Sequence, residues 1–342
     1  MTSDWNAASR SIMNLSDFFS STPGIYMAQS FCHALISVII VESAIRIWRI
    51  QEPMMMQRFR FIVMIFPIFS WPVYQILNPD RGSIHFRLET LFDSNRWLNL
   101  SIGGVIPFHL IFLSLLFLSA MIFIFQEMIP IVKHTHESKS RKLETRHPDP
   151  DSVVLQVLQE ISGSKPDVLM VDDEDYILFS SNGRNPSVFL STGLIQALDR
   201  DQLQVALVHE MAHISRNKRP FLLVIFLLRV LMFFNPVILI EFRKIVQEEE
   251  KICDDMAARI TQKPHALAET LRKLFRTAEV SSTFRLKKLS GMKEALEEYS
   301  QAMLIESRIK RLEQGTDGIK ERSWSQWIMT LMVISLINYY VV

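Results

Sequence analysis

Residues 191–220 read STGLIQALDRDQLQVALVHEMAHISRNKRP, and the run Val208-His209-Glu210-Met211-Ala212-His213 inside them decides how the surrounding chain must fold. Asp199 followed three positions later by Gln202 is a capping-box signal. Leu203, Ala206, Leu207 and Met211 then recur at helical spacing, so the pattern predicts a helix beginning near Asp199. On such a helix His209 and His213 project to one side a turn apart, where both ring nitrogens can reach one zinc ion. Glu210 lies beside them, placed to take a proton from water at that ion.

A catalytic zinc needs a third protein ligand and an open position. A third histidine at the HExxHxxGxxH spacing is excluded, because Arg219 and Pro220 occupy that region. Downstream, Glu248-Glu249-Glu250-Lys251-Ile252-Cys253-Asp254-Asp255 is the densest acidic cluster in the chain. Its Glu250 and Asp254 share a helix face, which allows Glu250 to bind the metal while Asp254 accepts the second N–H of a ligand histidine. Upstream, Val153 to Ile161 has helical spacing, and Val168–Val171, Ile177–Ser180 and Val188–Leu190 read as short strands, with Asn182-Gly183 as a turn signal. A small sheet therefore precedes the helix. The strand at Ser187, Val188, Phe189 and Leu190 is the candidate for aligning an extended substrate by main-chain pairing. His265, in a polar stretch after a proline, is a weak candidate for an oxyanion stabiliser.

Composition places this unit on a membrane protein. Of 342 residues 49% are apolar, with 23 Phe and 17 Met, while 37 basic side chains balance 36 acidic ones. That balance excludes a polyelectrolyte and a nucleic-acid binder driven by bulk charge. Cys32 and Cys253 have no paired spacing, so neither a disulfide framework nor a thiolate zinc site is available. Spans of about 20 apolar residues are expected at 24–48, 61–77, 106–129 and 324–342, giving a membrane region over 1–132, a unit over 133–323 and a last span over 324–342. Arg46, Arg49, Arg58 and Arg60 at the first connection and Lys133, Lys139, Arg141, Lys142 and Arg146 after the third span predict an outside N-terminus and a cytoplasmic unit after residue 133. His33, Glu42 and His109 fall inside spans, where an ionisable group either serves function or bonds another helix.

Phe221–Ile240 is apolar too, yet it cannot simply cross. His213 and Glu250 must meet at one ion, and a single crossing would part them by about 30 Å of hydrocarbon. Asn235-Pro236 divides the stretch as an N-cap and first helical residue, which predicts a membrane-associated helical hairpin over 221–246. Arg229 in its first arm must then face protein, headgroups or an acidic partner.

These motifs have a precedent. The run at 191–220, then FFNPVILIEF, then EEEKICDDMAARI resembles the membrane gluzincin proteases of the BlaR1/MecR1 antirepressor type, peptidase family M56, over about Ile177 to Ile260. The arrangement of three spans, a protease unit and a further span is similar as well. By that resemblance His209, His213 and Glu250 are zinc ligands, Glu210 is the catalytic base, Asp254 supports a ligand histidine, and Cys253 packs. The implied fold is mainly α, with a cytoplasmic α+β zincin-like domain between membrane helices. Zinc-dependent hydrolysis of a cytoplasmic or membrane-associated protein is the implied activity, in signal-responsive regulation at a bacterial inner membrane. A quality-control protease of the similar M48 type and a non-catalytic receptor or scaffold are the alternatives, and an intact Glu210 argues against the scaffold. Expected partners are a protein substrate, such as a cytoplasmic regulator, and the lipid bilayer, with no nucleic acid; a homodimer is compatible. The extracellular penicillin-binding sensor of the antirepressor receptors is not expected here, since the sequence given ends at Val342.

Overall fold

The computed structural model describes residues 18–129, 145–161, 165–181, 185–217, 221–274, 305–315 and 324–342. His134, His136, Asn182-Gly183 and the segment Thr277–Ser290 lie outside these. Besides two five-residue helices at Ile84–Leu88 and Ser94–Leu98, the helices in chain order are α1 (Thr22–Ile47), α2 (Pro53–Leu77), α3 (Phe108–Phe123, prolonged by a π-helical turn to Met128), α4 (Val153–Glu160), α5 (Thr192–Ala197), α6 (Arg200–Asn217), α7 (Phe221–Leu231) and α8 (Pro236–Thr261). Helices α9 (264–274) and α10 (305–314) follow, then α11 (Trp324–Tyr339). Strands β1 (Ser101–Ile102) and β2 (Ile106–Pro107) form a small hairpin; β3 (Thr145–Arg146), β4 (Asp167–Val171), β5 (Leu178–Ser181) and β6 (Ser187–Ser191) form a separate sheet.

The chain divides into two compact units, with α8 contributing to both: its residues up to Val246 belong to the first and those from Gln247 to the second. In the first, Thr22–Ile47, Pro53–Leu77 and Phe108–Met128 are long and apolar enough to cross a membrane. The second of these begins eight residues before the expected Phe61. Pro53 starts the helix at a position that needs no N–H donor, and the buried Arg60 is tolerated because Glu42 and Glu241 pair with it at 2.8 and 2.9 Å. Lys244 meets the same two carboxylates. His33 hydrogen-bonds Ser70 Oγ at 2.7 Å and the Val341 carbonyl at 3.1 Å, and His109 bonds the Leu98 carbonyl, so these ionisable groups knit helices and loops together. Helix α11 has 16 residues, about 24 Å, and its end is held by Arg81, which donates to the carbonyls of Asn338, Tyr339 and Val341.

The divided apolar stretch follows the Asn235-Pro236 signal. Asn235 Oδ1 accepts the Val237 N–H at 3.0 Å, Pro236 opens α8, and Phe226 meets Phe242 across the turn with ring centroids 6.3 Å apart. The second arm is no short helix: α8 runs unbroken for 26 residues, and its carboxylates past the apolar segment are paired with cations. Arg229 is fully buried, donates to the Met232 and Phe233 carbonyls at 3.2 and 3.0 Å, and lies 3.4 Å from Glu127.

In the second unit the sheet order is β3-β4-β6-β5, with β4 and β6 parallel and both outer pairs antiparallel. Val188 and Leu190 of β6 are completely buried and pack with Leu194, Leu203 and Leu207 in one core, which Val154, Val157, Ile309 and Leu312 complete. At the start of α5 a glycine is obligatory, since a Cβ on Gly193 would sit 2.1 Å from the Glu174 carbonyl oxygen. The reading of Ser187, Val188, Phe189 and Leu190 as a substrate-aligning strand needs correction. Val188 pairs with Val168 on one side and Ser180 on the other, so the main chain of β6 is consumed within the sheet.

Replacing Glu127 by Met should leave the Arg229 guanidinium buried without its carboxylate and cost about 3–5 kcal/mol, whereas the Glu127→Met/Arg229→Met pair should recover most of that loss. Thermal unfolding of the detergent-solubilised variants measures both.

Candidate metal centre

The helix that carries the two histidines starts as its sequence dictates. Asp199 Oδ1 accepts the Gln202 N–H at 2.9 Å and Gln202 Oε1 accepts the Asp199 N–H at 3.3 Å, a reciprocal cap. From that start Leu203 and Leu207 fall on the core face, and His209 and His213, two and six residues after Leu207, emerge beside α8. Their Nε2 atoms stand 3.1 Å apart. Glu250 reaches them from α8, with Oε1 3.5 Å from His213 Nε2 and Oε2 3.7 Å from His209 Nε2. The other ring nitrogen of His209 points to Asp254 Oδ1 at 3.2 Å, while Nδ1 of His213 lies 3.4 Å from the buried Cys253 Sγ. Glu210 is buried next to His209 on the same helix.

Among the described residues His209, His213 and Glu250 are a group whose ligand atoms all lie within 4.8 Å of one another. The donor set suits a divalent cation. Around a tetrahedral ion with bonds of about 2.0–2.1 Å the ligand atoms sit about 3.3 Å from each other, and the Nε2–Nε2 separation of 3.1 Å and the His213 Nε2–Glu250 Oε1 separation of 3.5 Å lie close to that value. Asp254 Oδ1 faces His209 Nδ1 at 3.2 Å, so a proton kept on Nδ1 would leave Nε2 as the nitrogen offered to a metal.

The electrostatics follow from crowding. Burial works against the charged form of Asp254, but hydrogen bonds from Arg308 and His209 outweigh it and hold the carboxyl down to about 2. Burial also opposes the His209 imidazolium, yet Asp254 and Glu250 push it up to about 9. His213 moves the other way, lowered by burial and then by its charged neighbour His209. Glu250 is lowered despite burial, through His209, Arg308 and His213, and burial raises the Cys253 thiol.

Each carboxylate of the 248–255 run has a partner. Glu248 pairs with Lys251, Glu249 with Arg216, Asp254 with Arg308 and Asp255 with Arg311, while Glu250 shares Arg308 and turns to the histidines. Sequence reading found Glu250 and Asp254 but not Arg308 or Arg311, which lie more than fifty positions away; its one available signal was that so many buried acids demand cations. His265 is exposed at the first turn of α9.

A family model described as BlaR1 peptidase M56 matches residues 108–302, more than half of the chain. The chain belongs to peptidase family M56. M56 membership implies peptidase activity and, with three helices long enough to cross a bilayer, a membrane metalloprotease whose substrate is protein. No curated protein matches the chain. The match takes in α3, the sheet, α6 and α8, and therefore every residue of the histidine and carboxylate group, and it ends before α10.

Two substitutions test this centre on the purified M56 chain. His213→Ala should abolish stoichiometric binding of a divalent metal, and Asp254→Asn should weaken it by roughly 10–100-fold through loss of the His209 support, both read by metal analysis after competition with a chelator.

Proposed function

We propose that the chain is a zinc endopeptidase in which His209, His213 and Glu250 hold the metal, Glu210 is the general base and Asp254 orients His209. The observation that carries this reading is the convergence of one ligand atom each from His209, His213 and Glu250 within 4.8 Å, the two Nε2 atoms 3.1 Å apart and Glu250 Oε1 3.5 Å from that of His213. Zinc supplies a Lewis acid that polarises the scissile carbonyl and acidifies water. Glu210 takes the proton of the attacking water and returns it to the leaving amine nitrogen.

Substrate alignment moves from β6 to β5. Among the described strands β5 is an edge, paired only with β6. The Ser191 N–H donates to the Ile177 carbonyl, and since antiparallel pairs alternate, Phe179 and Ser181 also face β6. Leu178 and Ser180 therefore turn their N–H and C=O groups outward, where an extended peptide can add as a strand.

The remaining organisation belongs to the same reading. Residues 1–132 anchor the protein through three crossings, 133–323 form the cytoplasmic protease with 221–246 as its membrane-associated hairpin, and 324–342 cross once more. Positive charge at Arg46, Arg49 and Arg58 and at 133–146 supports the protease on the cytoplasmic side of a bacterial inner membrane. Arg60 adds less to that bias, because it is already neutralised by two carboxylates. A protease so anchored is suited to cutting a cytoplasmic or membrane-associated regulator in response to a membrane signal, and a homodimer is compatible with it.

Glu210→Gln should keep metal content at the wild-type level, lower hydrolysis by about 10²–10⁴-fold and retain bound substrate. Mass spectrometry of the retained proteins should find one or a few regulators; many unrelated membrane proteins would indicate quality control instead. Ser180→Pro, which removes one outward N–H without touching a sheet bond, should raise KM toward a captured substrate while melting temperature and metal content stay near wild type.

A further inference from the structure

Helix α10 brings a guanidinium onto the two carboxylates that serve the metal centre. Arg308 donates from Nε to Asp254 Oδ2 at 2.6 Å and from Nη2 to Asp254 Oδ1 at 2.8 Å, while its Nη1 lies 3.1 Å from Glu250 Oε2. Asp254 Oδ1 is also the atom facing His209 Nδ1. One rigid, planar fork thus ties the carboxylate that reaches both histidines to the carboxylate that orients one of them.

We propose that Arg308 is a positioning residue that makes Glu250 a one-oxygen ligand. The inference rests on the zinc reading above. With Oε2 engaged by Arg308, Oε1, 3.5 Å from His213 Nε2, is the oxygen left for the metal. A glutamate at 35% side-chain exposure, freed of that partner, can rotate and offer both oxygens, filling the position that an attacking water needs. The fork also fixes the spacing of two anions four residues apart that would otherwise repel, so Asp254 stays on His209.

Arg308 lies outside the residues that the family model matches. Its helix has an independent reason to be where it is: Ile309 and Leu312 are buried in the core, and Arg311 pairs with Asp255 at 2.7 Å. That second clip joins α10 to Asp255, the neighbour of Asp254, which makes Arg311 the control for a purely structural role.

The test is titration of the full-length, metal-stripped protein in detergent with Co2+, following affinity and the visible d–d spectrum, alongside melting temperature. Arg308→Ala should bind Co2+ roughly 10–100-fold more weakly, with the weaker absorption of an ion that has gained a ligand. Arg308→Lys should recover part of the affinity but not the wild-type spectrum, since an ammonium cannot span both carboxylates; if the Ala variant does not fold, the Lys spectrum decides. Arg311→Ala should lower the melting temperature and leave affinity and spectrum unchanged. A wild-type spectrum and affinity in Arg308→Lys and Arg308→Ala, or equal impairment in Arg308→Ala and Arg311→Ala, overturns the inference alone. Failure of the wild type to take up Co2+ overturns it together with the zinc reading.

Discussion

Five carboxylates within eight residues of one helix are an electrostatic debt that the rest of the protease unit is arranged to settle. Glu248, Glu249, Glu250, Asp254 and Asp255 lie on little more than two turns of α8, where like charges at neighbouring positions destabilise a helix. The unit answers with cations from three directions: Lys251 from the same helix, Arg216 from the end of α6, and Arg308 and Arg311 from α10. Glu250 shares Arg308 with Asp254 and is the carboxylate of the five that reaches Nε2 of both imidazoles of α6. Neutralisation and site assembly are thus one arrangement, because the same ion pairs that make the run tolerable also decide which carboxylate is available.

A similar logic holds in the membrane-spanning unit, where charge is not excluded but enclosed. Arg60 sits between Glu42 and Glu241, Lys244 closes the same group, and Arg229 has Glu127 and two carbonyls at the end of its own helix. Each cation is matched at short range, which is the condition for keeping it away from water. Helix α8 takes part in both schemes, through Glu241 and Lys244 near its start and through the acidic run further on. A helix that carried only apolar residues in the first half could not have been joined to the membrane helices by ion pairs.

The amino-acid order alone determined the parts of this protein whose causes are local. The capping box at Asp199, the one-turn spacing of His209 and His213, the Asn235-Pro236 break and three long apolar helices all depend on neighbours within a few residues, and all were legible. So was the pairing of Glu250 with Asp254, since four-residue spacing is enough to put them on one face. The start of α2 was misplaced because Gln57, Arg58 and Arg60 interrupt the apolar run there, and the buried Arg60 is matched by Glu42 and Glu241 on other helices. What tertiary structure decided depends on contacts between distant segments: that β6 is an interior strand and β5 the edge, that α10 supplies Arg308, and that Cys253 faces His213. A strand's sequence specifies which residues face the core, whereas its position in the sheet is set by which segments pair, and an arginine's partner is set by where its helix docks. Neither is written in the spacing of the residues themselves.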